Sequence, residues 1–92
     1  MINLDVKTSS DICEHIAKHA RGLRKAKGLT QAELSKKSGV SLGSLKRFEN
    51  TSQISLHSLA NIAIALQAEE EFLELFTRPH YNSIDEAIRG KK

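Results

Sequence analysis

The sequence predicts an all-α domain of five short helices with short N- and C-terminal arms. Three observations carry this. Apolar residues recur at three- and four-residue steps in successive windows, the period of an amphipathic helix. Ser or Thr precedes each of the first four windows, where a hydroxyl can cap the orphan N–H groups of a helix start. The core must come from Leu, Ile, Val and Ala, because aromatics are sparse and Trp is absent. The arms are residues 1–9 and 78–92, and the domain spans 10–77.

In residues 1–7, Ile2, Leu4 and Val6 alternate with polar neighbours. Period two suits a half-buried strand, which could pair with a second chain, or the segment is a frayed tail. Thr8, Ser9 and Ser10 supply an N-cap for helix 1, expected over 10–27, and Asp11 and Glu14 favour its positive end. Its expected packing face is Ile12, Ile16, His19, Ala20, Leu23 and Ala26, with Gly28 as the C′ residue. Thr30-Gln31-Ala32-Glu33 reads as a capping box opening helix 2, which runs to about Ser38. Gly39 permits a sharp turn through positive φ, and Val40 plugs the corner. Ser41 caps helix 3, which ends near Asn50. Its apolar side is Leu45 and Phe48, with Gly43 and Arg47 opposite.

Ser55 caps helix 4, whose Leu56, Leu59, Ile62, Ala63 and Leu66 form the expected stripe. It is expected to be the most buried helix. A fifth helix is expected over 69–77, with Phe72, Leu73, Leu75 and Phe76 among acids, stopped by Pro79. The tail could hold one turn around 84–88 before Arg89-Gly90-Lys91-Lys92.

Ninety-two residues suit one domain. No apolar run is long enough for a bilayer, and the N-terminus lacks a signal-peptide pattern, so a cytoplasmic protein is expected. The single Cys13 cannot form an internal disulfide and is expected near the core as a small hydrophobe. Net charge is only +3, but its distribution is uneven. Lys18, Arg21, Arg24, Lys25, Lys27, Lys36, Lys37, Lys46 and Arg47 are opposed in their span only by Glu33, whereas Glu69, Glu70, Glu71 and Glu74 cluster later. That asymmetry fits a polyanion-binding face plus a separate face for other partners, or a solvated charged surface.

Residues 29–50 give the sharpest signal: two short helices joined by a tight turn, the second with a basic, uncluttered outer face. Such a helix can enter the DNA major groove. Arg47 has the reach and the forked donors for guanine O6 and N7, and Ser44 can bond a base edge or a phosphate. Leu42 either touches a thymine methyl or packs half-buried. Gly43 allows close approach to DNA, or is tolerated because the helix has barely begun. Lys46, Ser41 and Asn50 are expected at phosphates. Gln31, first in helix 2, can hold a phosphate oxygen with its amide and free backbone N–H groups. His15 and His19 are spaced i, i+4, but no third ligand stands at useful spacing, so no metal site is expected. His57 and His80 are isolated. No catalytic grouping, glycine-rich phosphate loop or carboxylate pair appears, and neither enzyme activity nor a cofactor is expected.

Leu23-Arg24, Gly28-Leu29-Thr30-Gln31-Ala32-Glu33-Leu34, Ser38-Gly39-Val40-Ser41, Ser44-Leu45 and Phe48-Glu49-Asn50, with the apolar helix that follows, resemble the Cro/repressor-type (Xre) helix-turn-helix family. The resemblance covers about residues 10–76. It implies a five-helix DNA-binding domain, a phosphate clamp at Gln31, and an Arg24–Glu49 salt bridge bracing helix 3. The family often carries a polar base-reading residue where this chain has Gly43, which shifts specificity toward Arg47. SLGSLKRFEN, ISLHSLANIAIAL and LFTRPHYNSIDEA resemble HipB-like antitoxins, partners of HipA-type kinase toxins.

The expected function is a dimeric, sequence-specific repressor of double-stranded operator DNA. The narrower resemblance adds an antitoxin that autoregulates its operon and binds a toxin kinase. Phe72, Leu75 and Phe76 are the first expected dimer surface and the Ile2-Leu4-Val6 arm the second. The acidic segment and residues 78–92 are the expected toxin-binding surface. The alternative is a helical interaction module or adaptor that binds nucleic acid without sequence preference.

Overall fold

The computed structural model describes residues 8–79. The expected strand or tail at 1–7, His80, the turn around 84–88 and the terminal basic run lie outside the described residues. Five helices follow in order: α1 (Ser9–Ala26), α2 (Gln31–Ser38), α3 (Leu42–Thr51), α4 (Leu56–Ala65) and α5 (Glu69–Leu73). No strand occurs among the described residues.

The starts are set by side chains, as the cap residues predict. Thr8 accepts from the Asp11 backbone N–H at 3.0 Å, and Asp11 returns the bond to the Thr8 N–H. Thr30 and Glu33 form the same reciprocal pair at α2, at 3.0 and 2.8 Å. Ser41 and Ser55 cap α3 and α4. Gly39 ends α2 at φ 77°, where an L side chain is strained, and so turns the chain sharply into α3. Ser35 Oγ donates to the Val40 carbonyl at 2.6 Å, and the Val40 N–H donates to Ser38 Oγ. Thr30→Ala removes one of the two bonds that start α2. It should cost about 1 kcal/mol of stability in urea unfolding; an unchanged midpoint would mean the box contributes nothing.

Ala17, Leu34, Val40, Leu45, Phe48, Ile62 and Leu66 form the core, with Leu23, Leu29, Ile54 and Leu59 packed around it. α2 packs on α3 and α4, α1 on α3, and α5 on α4. Thus α3 is held from behind by α1 and α2.

Four expectations are corrected. In α1, residues 9–16 are all exposed, with Ile12 at 50% and Ile16 at 37%. His19 and Ala26 are exposed too, and the buried residues are Ala17 and Arg24. The packing face is rotated toward small residues and Arg24, because α3 meets α1 there. Cys13 is exposed rather than core-packed, at a small cleft between the start of α1 and Thr51-Ser52-Gln53.

α4 is the most buried helix, as expected, with only Leu56, His57 and Ile64 exposed along it, but Leu56 falls outside the packed stripe. Ile62 and Ala63 are buried, but Leu56 is 70% and Ile64 60% exposed, since neighbours cover only one side. α5 ends at Leu73, well before Pro79. Beyond it, Glu74, Leu75 and Thr77 donate to carbonyls three residues back, and Phe76 takes φ 63°. With no buried residue in α5, no packed face extends the helix.

Candidate nucleic-acid interface

α2, the Gly39 turn and α3 form one braced unit, and the brace is a carboxylate. Arg24 reaches from α1 to Glu49 on α3 in a two-pronged pair, Nε to Oε2 at 2.8 Å and Nη2 to Oε1 at 3.0 Å. Its remaining prong, Nη1, donates to the Leu29 carbonyl at 2.8 Å, where the chain enters α2. The two side chains are only 8% and 4% exposed. Gln31 Nε2 also donates to Glu49 Oε1, at 2.8 Å. Arg21, half-exposed on the same side of α1, stands 4.0 Å from that oxygen. Among the described residues, no buried side-chain polar atom lacks a partner.

Burial pushes the Glu49 pKa up, but hydrogen bonds from Arg24 and Gln31 and the charges of Arg24 and Arg21 outweigh it. The carboxyl therefore titrates below the ordinary carboxylate value.

Braced in this way, α3 turns Leu45 and Phe48 inward and leaves Ser41, Leu42, Gly43, Ser44, Lys46, Arg47 and Asn50 exposed. Leu42 sits at the border, 37% exposed. The Ser41 hydroxyl caps the Ser44 N–H at 3.1 Å and donates to Ser44 Oγ at 2.9 Å. Ser44's own hydroxyl proton is thereby left to point elsewhere. A Cβ at Gly43 would meet nothing within 4 Å, so no internal contact requires glycine there. The Arg47 guanidinium has no hydrogen bond or ion pair with the described residues, and its backbone carbonyl accepts from Thr51 Oγ1 at 2.7 Å.

The structure brings the expected base-contact residues Leu42, Gly43, Ser44 and Arg47 onto one exposed helix surface. The expected phosphate contacts Ser41, Lys46 and Asn50 are exposed too, with Asn50 in line with Gly43 and Arg47 along the helix. Gln31, half-buried, stands apart from them at the start of α2 with its amide tied to Glu49. Two features were missed in the sequence. One is Arg21, although its i, i+3 spacing from Arg24 places it on the same side. The other is an open groove of about 330 Å³ beside Arg47, lined by Ser44, Gln53, Ile54, Ser55 and Ser58. Ser55 was legible as a cap, but its approach to α3 depends on the 52–55 loop.

No group of three or more potential metal ligands occurs among the described residues. No helix there is long and apolar enough to cross a membrane. No curated protein matches the chain, and no solved structure does. The family described as Helix-turn-helix matches residues 21–73, more than half of the chain, including the brace, the turn and the whole of α3. The chain belongs to the Cro/repressor-type helix-turn-helix family of DNA-binding transcription regulators.

Proposed function

We propose that the protein is a sequence-specific repressor that binds operator DNA as a homodimer and serves as the antitoxin of a HipA-type toxin–antitoxin module. The observation that carries the DNA reading is the uncommitted Arg47 guanidinium on the outer face of a helix whose inner face is locked by Arg24–Glu49. Leu42, Gly43, Ser44 and Arg47 meet base edges, while Gln31, Ser41, Lys46 and Asn50 meet phosphates. Two copies read half-sites about 34 Å apart.

The dimer surface we favour is the end of the domain, where Leu75 is 51% and Phe76 94% exposed. Exposed apolar groups of that size are the usual material of a protein contact. The acidic first turn of α5, Glu69 to Glu71, and the exposed Leu73 beside it support a separate surface for a toxin kinase. That part of the reading rests on the resemblance of SLGSLKRFEN and ISLHSLANIAIAL to HipB-like antitoxins.

The test is fluorescence anisotropy on the DNA upstream of the protein's own gene and on a scrambled duplex, across a salt series. A repressor should prefer the upstream fragment by about a thousandfold at physiological salt. Equal, weak binding with the same steep salt slope would instead identify an adaptor with a polyanion patch. Co-purification with the product of an adjacent gene would carry the antitoxin role, and its absence from the same operon would remove it.

A further inference from the structure

The geometry points to Glu49 as a positioning residue for DNA binding: it holds the Gln31 amide so that α2 offers a hydrogen-bond donor, never an acceptor, to a phosphate. This rests on the proposed phosphate contact by Gln31. A glutamine side chain has a donor end and an acceptor end of nearly equal shape, and a free one presents either. A phosphate oxygen only accepts, so half of the free orientations repel it. In this chain the choice is removed. Glu49 is ionised, because its pKa is lowered, and a carboxylate only accepts. Gln31 must therefore turn its NH2 group to Glu49 Oε1, 2.8 Å away. One of the two amide protons is used there, which leaves the second for another acceptor, and Gln31 is only half-buried.

The same carboxylate is itself immobile, gripped at both oxygens by Arg24. Arg21 stands 4.0 Å off as a second cation. Two guanidinium groups flank this carboxylate and offset the repulsion that it would exert on DNA. The amide of Gln31 and the placement of α3 thus share one anchor.

The test is a binding cycle with a fluorescein-labelled upstream fragment, in which Gln31→Ala is measured in the native protein and again in Glu49→Gln. Glu49→Gln leaves one acceptor where the carboxylate has two, and since Gln31 shares Oε1 with Arg24 Nη2, the fixed acceptor that dictates the Gln31 orientation is lost. Gln31→Ala should weaken native binding about tenfold, the size of one hydrogen bond to a charged acceptor. The salt slope should not change, because a neutral amide displaces no counterion. In Glu49→Gln the same change should cost no more than about twofold.

An equal loss in both backgrounds would overturn the positioning role and leave the Gln31 contact standing. No loss in the native protein would overturn the contact itself, and the inference with it. Should Glu49→Gln fail to fold, the native protein still decides by NMR. The Gln31 amide proton bonded to Glu49 should resonate away from the position of a free glutamine, and DNA should shift the other one. Resonances like those of a free glutamine, or no response to DNA, would overturn the proposal.

Discussion

Arg24→Met should destabilise the domain by about 3–5 kcal/mol, because it leaves the Glu49 carboxylate buried without its main partner. Glu49 sits 4% exposed among the core-facing turns of α3, where water cannot replace a guanidinium. The Leu29 carbonyl loses its donor in the same step. Urea unfolding at neutral pH measures the loss, and a change below about 1 kcal/mol would place the pair with exposed ion pairs. Removing both charges with Arg24→Met and Glu49→Leu should recover much of that stability, since apolar groups of similar volume often replace a buried pair without loss.

The pair also gives the domain an acid limb. Because the folded pKa of Glu49 is lowered, its contribution is fully present above the unfolded carboxyl value, about 4.3. It fades as pH falls from there toward the folded value. The native protein should lose stability across that window more steeply than the doubly substituted protein, and parallel curves would assign the acid sensitivity to other groups.

Arg47→Ala should weaken operator binding by about 1–3 kcal/mol and relax preference at one base position, while leaving the unfolding midpoint in place. Stability is spared because the guanidinium makes no hydrogen bond or ion pair with the described residues. Lys36→Ala and Lys46→Ala serve as references. Each should weaken all duplexes about evenly and lower the salt slope by about one. If Arg47→Ala behaves as they do, Arg47 touches phosphate and base readout lies elsewhere on α3. A panel of duplexes with single substitutions, titrated against the native and variant proteins, separates the two.

How much of this was legible in the chain varies by the range of the interaction. Caps are local, and Thr30, Glu33, Ser41 and Ser55 announced α2, α3 and α4 to within a residue. The α2–α3 turn was equally plain, since Gly39 and Val40 act on their own neighbours. Burial was harder, because it depends on what covers a face. Ile12 and Ile16 have helical spacing and still face solvent; periodicity says which residues share a side, not whether a partner reaches it. α5 was drawn too long for a related reason: a helix with no buried residue gains little from continuing, and Pro79 was not needed to stop it.

At the site, the pattern of Arg24 and Glu49 was readable through the family resemblance. The third arm of the brace, Gln31, was read only as a phosphate ligand. A contact between residues eighteen apart, on two helices set at an angle by Gly39, leaves no trace in local spacing.

The vacant position at Gly43 bears on how such a domain changes over generations. Its backbone is helical, and an added side chain would meet no internal obstacle. Folding and reading are therefore carried by different residues of one short helix, with Leu45, Phe48 and Glu49 on one side and Gly43 and Arg47 on the other. A lineage can revise the second set while the first holds still. Duplicated copies of this domain could drift to new target sequences one substitution at a time, with each intermediate still a folded protein.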